Sequence, residues 1–251
     1  MIKLFRNIRK NLLTESKNIK YLKYAIGEII LVVIGILIAL QINTWNEENK
    51  TKHLEIKILK ELHSNLNIDL FGIQEDITSM DLIDKACKEV VTYLKTKDKP
   101  DSTFNYLITA LRVRPHFDPN KSGYGLLQSK GVEVISNDSL RNNISLLYER
   151  AYTYYRRYED ERLDFQNYNC TAKFLEYFYE NFDVNSRWYA KFFITQEDYD
   201  KLRKDESFFK LASAIAFENA TLQHRAKRTE KHIMDLLEFI EKQLNPDLSN
   251  D

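Results

Sequence analysis

Hydrophobic residues are distributed along this chain in two distinct patterns. From Ile29 to Leu40 they form one uninterrupted apolar run. Farther on they recur at helical intervals: Leu62, Leu66, Leu70, Ile73, Ile77, Met80, Cys87, Val91 and Leu94 step by three, four or seven positions. That stripe predicts one long helix over residues 54–97 with a single packing face, closed by Lys97-Asp98-Lys99-Pro100-Asp101. A short helix over residues 103–113 ends at Arg114-Pro115, and a loop follows through Pro119 and Gly123. Tyr124, Leu126 and Leu127 suit another short helix, with Gly131 as its left-handed stop and Asn137 or Asp138 as N-cap of the next. That next helix is expected from Ser139 to about Asn181, with a kink or break near residues 167–169. A polar connection at residues 183–187 leads to a short segment around Trp188, and Glu197-Asp198 opens a further helical piece. A final helix over residues 206–244 has Phe209, Ala212, Ile215, Ala216, Asn219, Leu222, Ala226, Ile233, Leu236, Leu237 and Ile240 as its inner positions. Pro246 ends it.

Three long helices with shorter ones between them predict an all-α architecture, a helical bundle over residues 46–245 with a polar tail at 246–251. Composition agrees. Six Gly and four Pro in 251 residues are too few for the tight turns of a β-sandwich or barrel.

The apolar run is a membrane-crossing candidate. Its uninterrupted core of 12 residues would alone suit a buried helix. Extended to Tyr24 and Trp45 it gives 22 residues, roughly 33 Å of helix against a hydrocarbon layer of about 30 Å. Tyr24 and Trp45 then stand where interfacial aromatics anchor a span. Twelve Ile, Leu and Val residues between Ile26 and Ile42 contribute roughly −4 to −7 kcal/mol to insertion, and Glu28 and Gln41 lie near the ends, where polar groups cost least. A cleaved signal peptide fits poorly, because 23 residues precede the run and Leu37-Ile38-Ala39 lacks the first small residue of a cleavage site.

Charge sets the expected direction. Residues 1–23 hold seven basic groups and one acid, Glu15. Residues 46–60 hold four basic groups, so a count restricted to the immediate flanks ties. A short, strongly basic tail resists export, whereas a long downstream domain translocates despite its charges. The N-terminus is therefore expected in the cytoplasm and residues 46–251 in the periplasm, with the span in the inner membrane. Ile2, Phe5, Ile8 and Leu12 at helical spacing make the basic segment either a leaflet-lying amphipathic helix or a plain topology signal.

Within the span, Glu28, Gly35, Ala39 and Ile42 share one helical face. Gly35-xxx-Ala39 is a small-xxx-small pair that lets helices approach closely. Two readings stand: this face meets a second transmembrane helix, in a homo-oligomer or another membrane protein, or Glu28 snorkels to the interface.

Chemistry is sparse elsewhere. Lys and Arg total 37, and so do Asp and Glu, an interspersed balance that argues against a nucleic-acid partner. Cys87 and Cys170 are too few and too far apart for a disulfide scaffold or metal motif, which leaves one bridge or two buried thiols. The five histidines form no HxxxH or HExxH pair, and no glycine-rich phosphate loop occurs. No catalytic residue, cofactor or metal is indicated. The YERAYTYYRRY run, Tyr148 to Tyr158, interleaves aromatics and arginines, and a bundle helix packed on two sides explains it better than base stacking. Arg112, Arg114 and His116 lie together in a loop and are the candidate anion-binding set.

The stretch YAIGEIILVVIGILIALQINTWNE, with IKLFRNIRKNLL before it, closely resembles the opening of the DUF6090 family of uncharacterised membrane proteins from Bacteroidota. SGYGLLQSKGVEVISNDSLRNNISLLYE resembles a later stretch of that family. The resemblance implies a class and a taxon without an activity. The expected function is a membrane-anchored, non-enzymatic protein whose periplasmic bundle binds a partner or ligand. The alternatives are a tethered enzyme and an oligomeric channel or transport accessory using Glu28. A concave site with convergent titratable groups would favour the enzyme.

Overall fold

A computed structural model describes residues 18–245. The basic residues 1–17 and the tail with Pro246 lie outside the described residues, as does the side chain of Tyr24. The chain forms two units, Met1–Leu54 and Glu55–Asp251.

The first helix, α1, runs Asn18–Thr96, where the apolar pattern predicts two separate helices. No Gly or Pro occurs among residues 46–53 to break it, and local contacts support it there. Lys50 Nζ pairs with Glu47 Oε1 at 2.9 Å, and Thr51 Oγ1 donates to the Glu47 carbonyl. In the first unit α1 is long and apolar enough to cross a membrane: its 18-residue window has a mean hydropathy of 2.6 with none of it buried. Trp45 is exposed.

The second unit is mostly helical. After α1 come α2 (Ser102–Leu111), α3 (Ser122–Lys130), a 3-10 turn and α4 (Asp138–Ser145). Then follow α5 (Tyr152–Phe165) and α6 (Thr171–Tyr177), with π-helical turns Leu146–Ala151 and Gln166–Cys170 joining α4 to α5 and α5 to α6. Strands β1 (Tyr179–Phe182) and β2 (Ala190–Phe193) lead to α7 (Gln196–Leu202) and α8 (Glu206–Leu244).

Caps follow the sequence closely. Asn137 accepts from the Leu140 amide at the start of α4, and Asp101 from Phe104 at the start of α2. Gly131 stops α3 at φ +91°, ψ 132°, positive φ but outside the left-handed helical region, a conformation that suits glycine.

The π turns have a legible cause. Leu140, Ile144, Tyr148 and Tyr152 face the core, and so do Arg162, Gln166, Cys170 and Phe174. Each set takes three successive steps of four, which overshoot a 3.6-residue turn, and a π turn absorbs the drift. The break expected near residues 167–169 is the second of these.

The all-α expectation needs one correction. Residues 179–193 form an antiparallel hairpin, with Tyr179 opposite Phe193 and Phe182 opposite Ala190, where the sequence suggests helix to Asn181 and a plain connection. Aromatic pairing holds it. Tyr179 stacks on Phe193 at 4.9 Å and Phe182 on Tyr189 at 6.3 Å, and the inner Phe178 and Phe192 anchor it to the core. Its turn uses Asp183 Oδ1, which accepts from the Asn185 amide, so glycine scarcity was no bar.

Contacts between α1 and α8 run in opposite order along the two helices. His63 meets Glu241 at 3.0 Å, Gln74 meets Glu230 at 2.9 Å, and Gln223 meets Asp81 at 2.6 Å. The helices are therefore antiparallel. The α4–α6 helix packs against α8 as the third long member. An aromatic cluster fills one end of the core: Phe104 lies among Tyr93, Phe178 and Tyr199 at centroid distances of 5.1, 6.2 and 5.1 Å. On α8 it is Phe208, not Phe209, that is fully buried, because 208, 212, 215, 219 and 222 keep strict alternation of four and three. Leu70, Ile77 and Val91 sit at the flank of the α1 stripe, and Ile83 and Val90 take core places. Cys87 and Cys170 are free, buried thiols.

Candidate functional site

The inner face of α1 carries polar residues where its periodicity calls for hydrocarbon. Glu55, Asn65 and Asp69 are buried, and each is satisfied by the segment between α2 and α4. Glu55 Oε1 accepts from the Ser136 amide at 2.9 Å and its hydroxyl at 2.8 Å. Asn65 Oδ1 accepts from the Gly123 amide at 2.8 Å and Ser122 Oγ at 3.0 Å. Asp69 Oδ1 accepts from the Asn120 amide at 2.8 Å, and Oδ2 from the Tyr152 hydroxyl at 2.7 Å. This segment, with α3 and a 3-10 turn inside it, is thus laid across α1 with the Asn120, Gly123 and Ser136 amides paired, as buried backbone requires. Replacing Tyr152 with Phe leaves Asp69 Oδ2 buried without a donor. Unfolding of full-length Tyr152→Phe should show a loss of roughly 1–3 kcal/mol, whereas Tyr154→Phe, at an exposed ring, stays within about 0.5 kcal/mol.

Beside that segment lies a cleft of about 250 Å³, lined by Arg114, His116, Arg156, Glu159, Asp160 and Arg162 together with Pro115 and Leu163. Glu159 comes from α5, its side chain only 4% exposed. Its Oε1 accepts the Phe117 amide at 2.6 Å. Its Oε2 has no hydrogen-bond partner, and Arg156 Nη1 stands 3.9 Å from it. Burial pushes the Glu159 carboxyl up to about 7, against the lowering pull of the Phe117 amide and Arg156, and charge repulsion from Asp76 adds to the rise. Asp76, from α1, is pushed up to about 6, again by burial, with His116 and Arg162 opposing.

Arg162 is buried behind them. It donates to Asn219 Oδ1 at 3.1 Å and to the Val113 carbonyl at 3.3 Å, while Asn219 Nδ2 donates to the Met80 carbonyl at 2.8 Å. Burial lowers its pKa. Asp76 Oδ2, Tyr155 Oη, Glu159 Oε2 and Arg162 Nε are all buried without a hydrogen-bond partner. Chemically, the cleft offers one carboxyl held well above its ordinary range, Glu159, with Arg114, His116 and Arg156 beside it, a setting for a small polar ligand or for proton transfer.

The three residues of the candidate anion loop divide between two clefts. Arg114 and His116 line the one with Glu159. Arg112 and Arg114 line a second, of about 530 Å³, with Glu180, Arg187 and Trp188. Arg112 is partly committed: Nη1 donates to Thr171 Oγ1 at 3.3 Å, and the guanidinium lies 5.3 Å from the Phe174 ring centre. In the first unit, Gly35 and Ala39 are exposed and Glu28 is half-buried. A Cβ on Gly35 would meet nothing within 4 Å. Among the described residues no group of three or more His, Cys, Asp or Glu is placed to hold a metal.

The pattern of DUF6090, a family of unknown function, matches residues 28–202. The chain belongs to the DUF6090 family. The DUF6090 match takes in Glu28, Gly35, Ala39 and Trp45, the loop of Arg112, Arg114 and His116, and the Glu159–Arg162 centre. Tyr24 and α8 lie outside the matched residues. No curated protein and no solved structure matches the chain.

Glu159, Asp76 and Arg162 are not singled out by motif or spacing in the sequence. A signal exists nonetheless: Tyr148, Tyr152, Tyr155, Glu159, Arg162 and Gln166 follow one stripe of steps of three and four, so the charged members lie on the face that the tyrosines bury.

Proposed function

We propose that this DUF6090 protein is a single-pass, membrane-anchored, non-enzymatic binding module of Bacteroidota. Residues 24–45 cross the inner membrane, the N-terminus is cytoplasmic, and the helical domain faces the periplasm, where it engages a partner or ligand. The observation that carries the anchor is the unburied apolar stretch of α1. Ile29, Leu31, Ile36 and Ile42 are each more than 60% exposed, a contiguous surface that a water-soluble protein does not sustain. Tyr24 and Trp45 serve as its interfacial ends, and the basic residues before it hold the N-terminus inside.

Fractionation tests the anchor. Full-length protein should remain in the membrane pellet after alkaline carbonate. Ile34→Arg, with a charge at mid-span costing about 2.5–3.5 kcal/mol, should shift a large share to the soluble fraction. Alkaline phosphatase fused after Asp251 should be active; an inactive fusion overturns the orientation.

The Glu28–Gly35–Ala39 face is proposed as the contact with a second transmembrane helix. Cysteine pairs at 35 and 39 should crosslink in native membranes, and an exclusively monomeric product sinks self-association. The tethered-enzyme reading has one observation in its favour, the Glu159 carboxyl held near 7 in a cleft with Arg114 and His116.

A further inference from the structure

A cluster of cations lies away from the Glu159 cleft. The first π turn and α5 face α8 across a third concavity, of about 480 Å³. Arg150, Tyr154 and Tyr155 line one wall, and Arg225, Arg228 and His232 the other. No carboxylate lines it.

Three features set this cleft apart from an ordinary solvated helix face. Arg225 and Arg228 stand three residues apart on one side of α8, where like charges repel, and His232 follows four residues on. Among the described residues none of the three arginines is ion-paired. The acids next to them in sequence are committed elsewhere: Glu149 accepts from the Tyr124 hydroxyl at 2.5 Å, and Glu230 from Gln74 Nε2 at 2.9 Å.

One of the cations, Arg225, is also held in place. The Arg225 guanidinium lies 5.4 Å from the Tyr154 ring centre and 4.8 Å from that of Tyr158. The Tyr154 and Tyr158 hydroxyls are 3.1 Å apart, and the two rings meet edge to face at 73°, so the guanidinium lies against both. Arg225 Nε is buried with no hydrogen-bond partner. The Tyr154 phenol is drawn below its usual range first by the Tyr158 hydroxyl, whose own phenol is raised by the same contact, and then by the charges of Arg225, Arg228 and Arg157.

We propose that this cleft binds a small organic phosphate, its oxyanion taken by Arg225, Arg228 and Arg150 and its organic part laid against Tyr154. Guanidinium forks match phosphate oxygens in pairs, and the volume suits a small ligand rather than a bare ion alone. A soluble phosphomonoester and a lipid phosphate headgroup share this chemistry. The proposal rests on the binding-module reading for its ligand and does not depend on which way the domain faces.

Isothermal titration of full-length protein in dodecyl maltoside micelles tests it, with phenyl phosphate as probe and benzyl alcohol as neutral control. Phenyl phosphate should bind once per chain, and binding should weaken at least tenfold in Arg228→Gln and in Arg225→Lys while staying unchanged in Lys210→Gln, at an exposed cation away from the cleft. Arg228 is exposed, so Arg228→Gln should keep the wild-type melting temperature, and a binding loss there is not unfolding. Repeating the titration with phosphatidic acid in the micelles distinguishes the sources. Competition identifies a headgroup as an occupant, and its absence a soluble ligand; both support the site. Failure of phenyl phosphate to bind, or binding indifferent to Arg228→Gln, overturns the proposal. Membrane retention is measured separately, so that result leaves the anchor standing.

Discussion

Gly123→Ala should be among the most damaging single-methyl changes available to this protein, although glycine opens a helix there and alanine is the better helix former. The added Cβ would lie 3.0 Å from the Leu62 amide nitrogen and 3.0 Å from Asn65 Oδ1. The first contact is backbone of α1 and cannot swing aside. Either α3 retreats, which lengthens the bond from the Gly123 amide to Asn65, or α1 bends. Overpacking of this kind costs roughly 1–3 kcal/mol, and an amide left buried without its acceptor costs about as much again. Chemical unfolding of the full chain in detergent, followed by circular dichroism, should show a loss of several kcal/mol. The control is two residues away. A Cβ added at Gly125 would meet nothing within 4 Å, and Gly125→Ala should stabilise by about 0.5–1 kcal/mol through the unfolded chain. Equal effects at the two positions would refute the close-approach account.

Glu159→Gln should reverse the ordinary cost of losing a buried charge, and do so only at higher pH. The Glu159 carboxyl sits near 7 in the fold against an ordinary 4.5. Below about 4.5 it is neutral in both folded and unfolded chains. Between 4.5 and 7 the fold keeps the proton and the unfolded chain releases it, so stability falls as pH rises through that window. Above 7 the fold carries the full burden of a buried anion, on the order of 3 kcal/mol at about 1.36 kcal/mol per unit. Glutamine keeps an acceptor for the Phe117 amide and never ionises. The stability of Glu159→Gln relative to wild type should therefore climb by up to about 3 kcal/mol from pH 4.5 to 8. Asp76 steepens the trend, because it is itself pushed up to about 6 and repels an ionised Glu159. A difference that stays flat with pH would show that Glu159 is well solvated.

Much of the architecture is legible in the sequence because it rests on periodicity. The α8 boundaries, the Asn137 cap, the stop at Gly131 and the disturbance near residues 167–169 all follow from apolar spacing and local capping chemistry. The hairpin is not legible, since Tyr179 to Phe182 carries no alternation that separates it from the end of a helix; what makes it a strand is its pairing with residues 190–193, eleven positions on. The join between the apolar run and the α1 stripe is hidden as well. Its polar stretch looks like a boundary, whereas Asn46 to His53 contains nothing that stops a helix. The candidate site is the least legible part. Arg114 and His116 stand out as loop residues, but their partners Glu159 and Arg162 come from α5 and are masked by their polarity. Polar residues at inner stripe positions are the pattern to search for in such chains, and Asn65 and Asp69 fit it equally well.

The two thiols carry a consequence for where this fold can exist. Cys87 on α1 and Cys170 in the second π turn belong to the same hydrophobic cluster, and burial pushes them up to about 12 and about 11. At those values almost no thiolate forms at physiological pH, and thiolate is the species that oxidants and disulfides react with. The domain draws no part of its stability from a cross-link, so its shape is indifferent to the redox poise of its surroundings. Neither a reducing nor an oxidising medium should alter its set of covalent bonds, since neither thiol is exposed.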